Sequence, residues 1–93
     1  MGTTNTKDKE LARVLKALAN ERRLAILRFL NSKKEAPVGR VAEEIKLSFK
    51  ATSKHLALLA SVGILEKEHR LNQMFFYIPK SLPEIARRIL SFL

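Results

Sequence analysis

Apolar residues recur at helical spacing over the first two thirds of the chain. They then crowd into one short strand-like run before the period returns to helical. In KDKELARVLKALA, Leu11, Val14, Leu15 and Leu18 share a face and predict a first helix from Thr6, with Asp8 and Glu10 in the turn where the helix dipole favours acids. NERRLAILRFLN continues the pattern through Leu24, Leu27, Phe29 and Leu30, with Asn20 as N-cap of a second helix. SKKEAP breaks the period, and Pro37 is read as the stop. A short third helix fits Val38 to Ile45, with Val41, Ala42 and Ile45 inward. Ser48 caps a fourth, in which Thr52, Leu56 and Leu59 fall on one face; Gly63 then sits where a left-handed C-cap belongs. ILEKEHR and MFFYIP read as two strands of a hairpin joined by the polar turn LNQ, with Pro79 closing the second. Ser81 and Glu84 match a capping box, Pro83 falls in the first turn, and IARRILSFL forms a last helix.

The expected fold is therefore mainly α with a small β element (α+β). A short helix, a tight turn and a second helix make a helix-turn-helix, and the hairpin directly after it makes it winged. Residues 1–5 are expected to be a flexible tail and residues 6–93 a single domain.

Charge adds a partner to this picture. Eighteen Lys and Arg face nine Asp and Glu, a net +9 that a fold does not need and a polyanion would complement. Between Leu47 and Leu65 no acid interrupts Lys50 and Lys54. The chain has no cysteine, which excludes disulfides and thiolate metal sites within it and fits a reducing compartment. No apolar run approaches the roughly 18 residues of a membrane span and no secretory pattern opens the chain, so the expected location is cytoplasmic. Neither His55 nor His69 has a second ligand at metal-binding spacing, and no cofactor motif is present. Glu43 and Glu44 are the only adjacent acids, and neighbours on a helix diverge; no nucleophile–base pair or Gly-rich phosphate loop suggests an enzyme.

LKALANERRLAILRFL, VGRVAEEIKLSFKATSKHLALLASVGILEKE and NQMFFYI together resemble the ArsR-like family of prokaryotic winged helix-turn-helix transcriptional regulators. The resemblance runs from about Val14 to Ile78. It implies a homodimer built on the first and last helices, a recognition helix in the major groove of double-stranded DNA, a wing beside the backbone and repression of a promoter. Arg23 matches the arginine of the family. Three features depart from the pattern. Cysteine is absent, and the last helix offers Glu84 alone without histidine, so metal sensing is not expected. Lys46 stands where the turn often has glycine, and Phe49 where the family is often polar.

The fourth helix, at about 48–61, has an apolar side for the core and a small, cationic side made of Lys50, Ser53, Lys54 and Ala57. Lysines at such a place meet phosphates more readily than bases, and Ser53 suits a base edge or a phosphate. Ser48 joins them at the helix entry. Phe49 either touches a thymine methyl or packs as a staple against the core; His55 either reads DNA or packs as a hydrogen-bonded core histidine. In the wing, Lys67, Arg70, Asn72 and Gln73 are the candidate contacts, with Arg70 foremost. Arg40 opens the third helix, placed for a phosphate. Phe75, Phe76 and Tyr77 are expected to fasten the wing to the helices, with Tyr77 hydrogen-bonded at the edge. Leu11, Leu15, Leu18, Ile85, Ile89, Phe92 and Leu93 offer more apolar surface than one small core absorbs and are the expected dimer interface. The alternative function is a winged-helix protein-interaction module without DNA readout.

Overall fold

The computed structural model describes residues 6–93, so the tail assigned to residues 1–5 lies outside the described residues. The elements follow in the order α1 (Thr6–Leu18), α2 (Glu21–Lys33), β1 (Glu35–Pro37), α3 (Val38–Ile45), α4 (Phe49–Ser61), β2 (Glu66–Arg70), β3 (Gln73–Tyr77) and α5 (Glu84–Leu90). One core unites them. Ile26, Leu27 and Leu30 of α2, Val41 of α3, Leu56 and Leu59 of α4, and Ile64 and Leu65 beyond it are all essentially inaccessible. Truncating any of these leucines to alanine costs roughly 2–5 kcal/mol through lost burial and the cavity left behind.

The caps explain where the helices start and stop. The Asn20 side chain accepts from the Arg23 N–H at 3.0 Å, and the Ser48 hydroxyl accepts from the Ala51 N–H at 3.1 Å. Each satisfies an orphan donor of the first turn. Gly63, at φ 81°, ends α4: its N–H reaches the Ala60 carbonyl while that of Ile64 reaches Leu59, a Schellman closure. Lys46 does the same work for α3 without being glycine. Its φ is 56°, its N–H bonds Glu43 and that of Leu47 bonds Ala42. A side chain in this left-handed position crowds its own carbonyl.

Four expectations change. SKKEAP is more than a break, because Lys34 turns the chain at φ 73° and Glu35–Pro37 forms a strand. That strand pairs antiparallel with β3, Ala36 opposite Phe76, giving a three-stranded sheet in the order β1-β3-β2. Proline is tolerated because it ends an edge strand. The hairpin turn is Leu71–Asn72, both at positive φ as a two-residue type I′ loop requires, and Gln73 already belongs to β3. Pro83, with extended ψ, is the N-cap of α5 and no side chain caps it; Glu84 instead pairs with Arg87 and with Arg88. The last helix ends at Leu90, with Phe92 in a turn beyond it.

Arg23 is the junction of the helices. Its Nε donates to the Ala17 carbonyl at 2.6 Å and Nη2 to Lys16 at 3.1 Å, which closes the C-terminus of α1. Its Nη1 lies 3.2 Å from His55 Nδ1 on α4. A guanidinium only donates, so Nδ1 accepts and the ring proton sits on Nε2. Burial first, then Arg23 and Arg22, lowers the His55 pKa below its ordinary 6.5.

Replacing Lys46 by glycine relieves the left-handed strain, less the extra freedom glycine gains in the unfolded chain; denaturant titration should show a net stabilisation of about 0.5–1 kcal/mol. His55 supplies a pH test. Its folded pKa lies below the unfolded one, so the unfolded state takes up the proton first and stability falls as pH drops through about 6.5, levelling below the folded pKa. His55→Asn keeps an acceptor near Nδ1 but does not titrate. Unfolding midpoints between about pH 7.5 and 5.5 should therefore decline less for the variant than for the wild type, and parallel curves would contradict the assignment.

Candidate nucleic-acid interface

The local chemistry of α4 sorts its side chains. Thr52, Leu56 and Leu59 are fully buried and seat the helix on α2 and α3. Its other face carries Lys50, Lys54 and Ala57 exposed and Ser53 half-buried. Neither lysine has a carboxylate partner among the described residues. Phe49 begins the helix and is 62% exposed, which excludes the staple against the core. With Lys50, Ser53, Lys54 and Ala57 it lines one shallow concavity of about 380 Å³. His55 is half-buried and committed to Arg23, off this face. Ser48 is exposed, but its hydroxyl is engaged as the N-cap.

The wing sorts differently. Side chains alternate across a strand, and the register places Glu66, Glu68 and Arg70 on the face shared with Phe75 and Tyr77. Glu35 of β1, opposite Tyr77, lies on the same face. Arg70 is spent there. Its guanidinium stacks over the Phe75 ring, 4.2 Å from the centroid, and donates to Glu35 at 2.5 Å, with Glu68 3.6 Å from Nε. It thereby spans all three strands. The hydrogen bond it donates to Glu35 raises its already high pKa. Tyr77 donates to Glu66 at 3.0 Å, the edge bond expected of it, and that bond raises the phenol pKa. Lys67 and His69 point to the opposite face with Met74 and Phe76, and both are exposed. Lys67 has no carboxylate partner among the described residues, whereas Arg70 is engaged by Glu35 and the Phe75 ring. Asn72 and Gln73 are exposed at the tip beside Leu71, the first residue of the expected turn LNQ, which is 83% exposed.

Arg40 is exposed on α3, 3.4 Å from Glu44 and 5.1 Å from the Phe29 ring centroid. An exposed pair of this kind contributes a few tenths of a kcal/mol and yields readily to a phosphate. Leu11 and Leu15 of α1 are each 44% exposed and Phe92 is 81% exposed. Ile85, Ile89 and Leu93 are partly buried. Leu18 departs from this group: it is buried in the core of its own chain and unavailable to a partner. Its place on the inward face, one turn after Val14, accounts for that. Among the described residues no cluster of three or more His, Asp or Glu is placed to hold a metal, and no helix is long and apolar enough to cross a membrane.

Known proteins share this arrangement. The family model for the helix-turn-helix domain matches residues 18–68, from the end of α1 into β2. The transcriptional activator HlyU of Vibrio cholerae is 35% identical over 80 residues, covering 82% of this chain and 73% of the relative. The solved structure of HlyU from Vibrio cholerae superposes with a TM-score of 0.78 at 28% identity, covering 96% of this chain and 92% of that one. A homodimeric winged helix-turn-helix DNA-binding domain from Mycobacterium bovis, of a possible ArsR-family regulator, gives 0.78 at 29% identity, covering 99% and 84%. With the same helix-turn-helix, the same wing and matches along nearly the whole chain, this protein belongs to the ArsR-like family of winged helix-turn-helix transcriptional regulators.

Proposed function

We propose that the protein is a homodimeric, sequence-specific double-stranded DNA-binding repressor that lays α4 in the major groove. The observation that carries this reading is the exposed face of α4, where Lys50 and Lys54 have no carboxylate partner among the described residues, on a helix held by three fully buried side chains. Small Ser53 and Ala57 between them let the helix approach a groove floor. Lys50 and Lys54 meet phosphates, Arg40 adds a third from α3, and Lys67 with Asn72 and Gln73 reaches the flanking backbone from the wing. Leu11, Leu15, Phe92 and the outer edges of Ile85, Ile89 and Leu93 pair two copies about a twofold axis. Two recognition helices then lie about 34 Å apart, matching a pseudo-palindrome whose half-sites are one helical turn apart. A dimer seated across a promoter excludes polymerase, which is the basis of repression.

Two measurements test the reading. Phosphate contacts release counterions, so log Kd should rise steeply with log salt. The Lys50→Ala/Lys54→Ala variant should bind cognate and random duplexes more weakly, with the salt slope reduced by about 2, one for each phosphate contact. Unchanged affinity in gel shifts would refute the assignment of α4, and salt-insensitive capture of a protein without DNA affinity would favour an interaction module. Leu15→Glu places a charge on the exposed side of α1, outside the core. Sedimentation should show it monomeric where the wild type is a dimer.

A further inference from the structure

The recognition helix is unusual in what it omits. From Phe49 to Ser61 it contains no Arg, Asn, Gln, Asp or Glu. The strongest direct readout of bases uses Arg or Lys bidentate to guanine, Asn or Gln bidentate to adenine, and a carboxylate accepting from cytosine. Of these α4 carries only Lys50 and Lys54, which the DNA-binding reading gives to phosphates. Of the arginines on neighbouring elements, Arg70 is tied to Glu35, Glu68 and the Phe75 ring, Arg23 to α1 and His55, and Arg40, beside Glu44 on α3, is given to a phosphate. The face instead places a phenyl ring, 62% exposed, in the first turn, which is the part of a recognition helix that reaches base edges. The ring shares one shallow concavity with the Ala57 methyl, and the two exposed lysines flank it. An apolar floor between cationic margins complements one feature of duplex DNA. That feature is the C5-methyl of thymine, the one apolar group in the major groove, lying between two phosphate backbones.

We propose that α4 reads thymine through its methyl group, with Phe49 as the principal specificity residue and Ala57 completing the apolar surface. Lys50 and Lys54 hold the flanking phosphates, and Ser53 hydrogen-bonds a neighbouring base edge or phosphate. This rests on the DNA-binding reading of α4. It adds a chemical prediction that general DNA binding does not make, because uracil pairs as thymine does and lacks only the methyl. Cytosine methylated at C5 presents the same group and falls within the same recognition class.

The test uses duplexes selected from a random pool by the wild-type protein, then resynthesised with deoxyuridine at each thymidine in turn. Affinities are read by fluorescence anisotropy at fixed salt. One or two positions in each half-site should weaken binding by about fourfold for each methyl removed, the worth of one buried methyl-sized group. Phe49→Ser should bind the thymine duplex more weakly and show no further loss with deoxyuridine. Phe49→Leu, apolar but smaller, should keep the sensitivity. Because the ring is exposed, the variants should retain the wild-type fold, checked by circular dichroism. At a position where cytosine replaces a contacted thymine, 5-methylcytosine should recover part of the loss. If thymine and uracil duplexes bind alike while affinity remains high, thymine reading is overturned and DNA binding stands. If Phe49→Ser keeps the full sensitivity, the assignment of Phe49 is overturned. If no duplex is selected at all, the DNA-binding reading falls, the inference falls with it, and the Phe49 face is left to a protein partner.

Discussion

The arrangement depends on one guanidinium. Arg23 binds the last carbonyls of α1, stands in the first turn of α2 and meets His55 on α4. Three helices that share little sequence-local contact are thereby referenced to one side chain. A lysine offers three donors on a point charge and lacks the planar fork that serves two carbonyls and an imidazole together. The fork is aimed before any partner arrives, because the Arg23 N–H is itself fixed by the Asn20 cap. The helix facing the partner and the helix bearing the outer apolar surface are thus placed by the same residue. His55 contributes as the acceptor that completes this junction.

Much of the fold was legible because it is written locally. The 3.6-residue period put Thr52, Leu56 and Leu59 on one side of α4, and all three are fully buried. Asn20, Ser48 and Gly63 act within a few residues of themselves, so their capping roles follow from position alone. What escaped was set at long range. The strand β1 has three residues and no period; it exists because β3, some forty positions later, offers it a partner. The engagement of Arg70 follows from that strand, since its carboxylate partner lies 35 residues away. A basic residue before a wing turn looks available until the sheet brings Glu35 beside it.

The candidate site divides along the same line. Lys50, Ser53 and Lys54 were readable as an outward face from helical geometry. Phe49 was ambiguous, because either a staple or an exposed ring suits the first turn of a helix; only the packing separates them. Leu18 shows the converse error. It lies on the same helix as Leu11 and Leu15, but a small rotation about the axis carries it into the core. Ser81 and Glu84 spell a capping motif, yet Pro83 takes the cap and Glu84 turns to Arg87 and Arg88. The two guanidiniums hold its carboxyl below its usual pKa.

The Schellman closure at Gly63 has a mechanical meaning. It passes directly into Ile64 and Leu65, which are 0% and 1% exposed, and then into β2. No slack separates the recognition helix from the wing. A torque applied to one is delivered to the other, because flexing between them would have to pull two core side chains into water. Each copy therefore behaves as a rigid key, and the adjustable quantity in a pair of copies is the distance and tilt between keys.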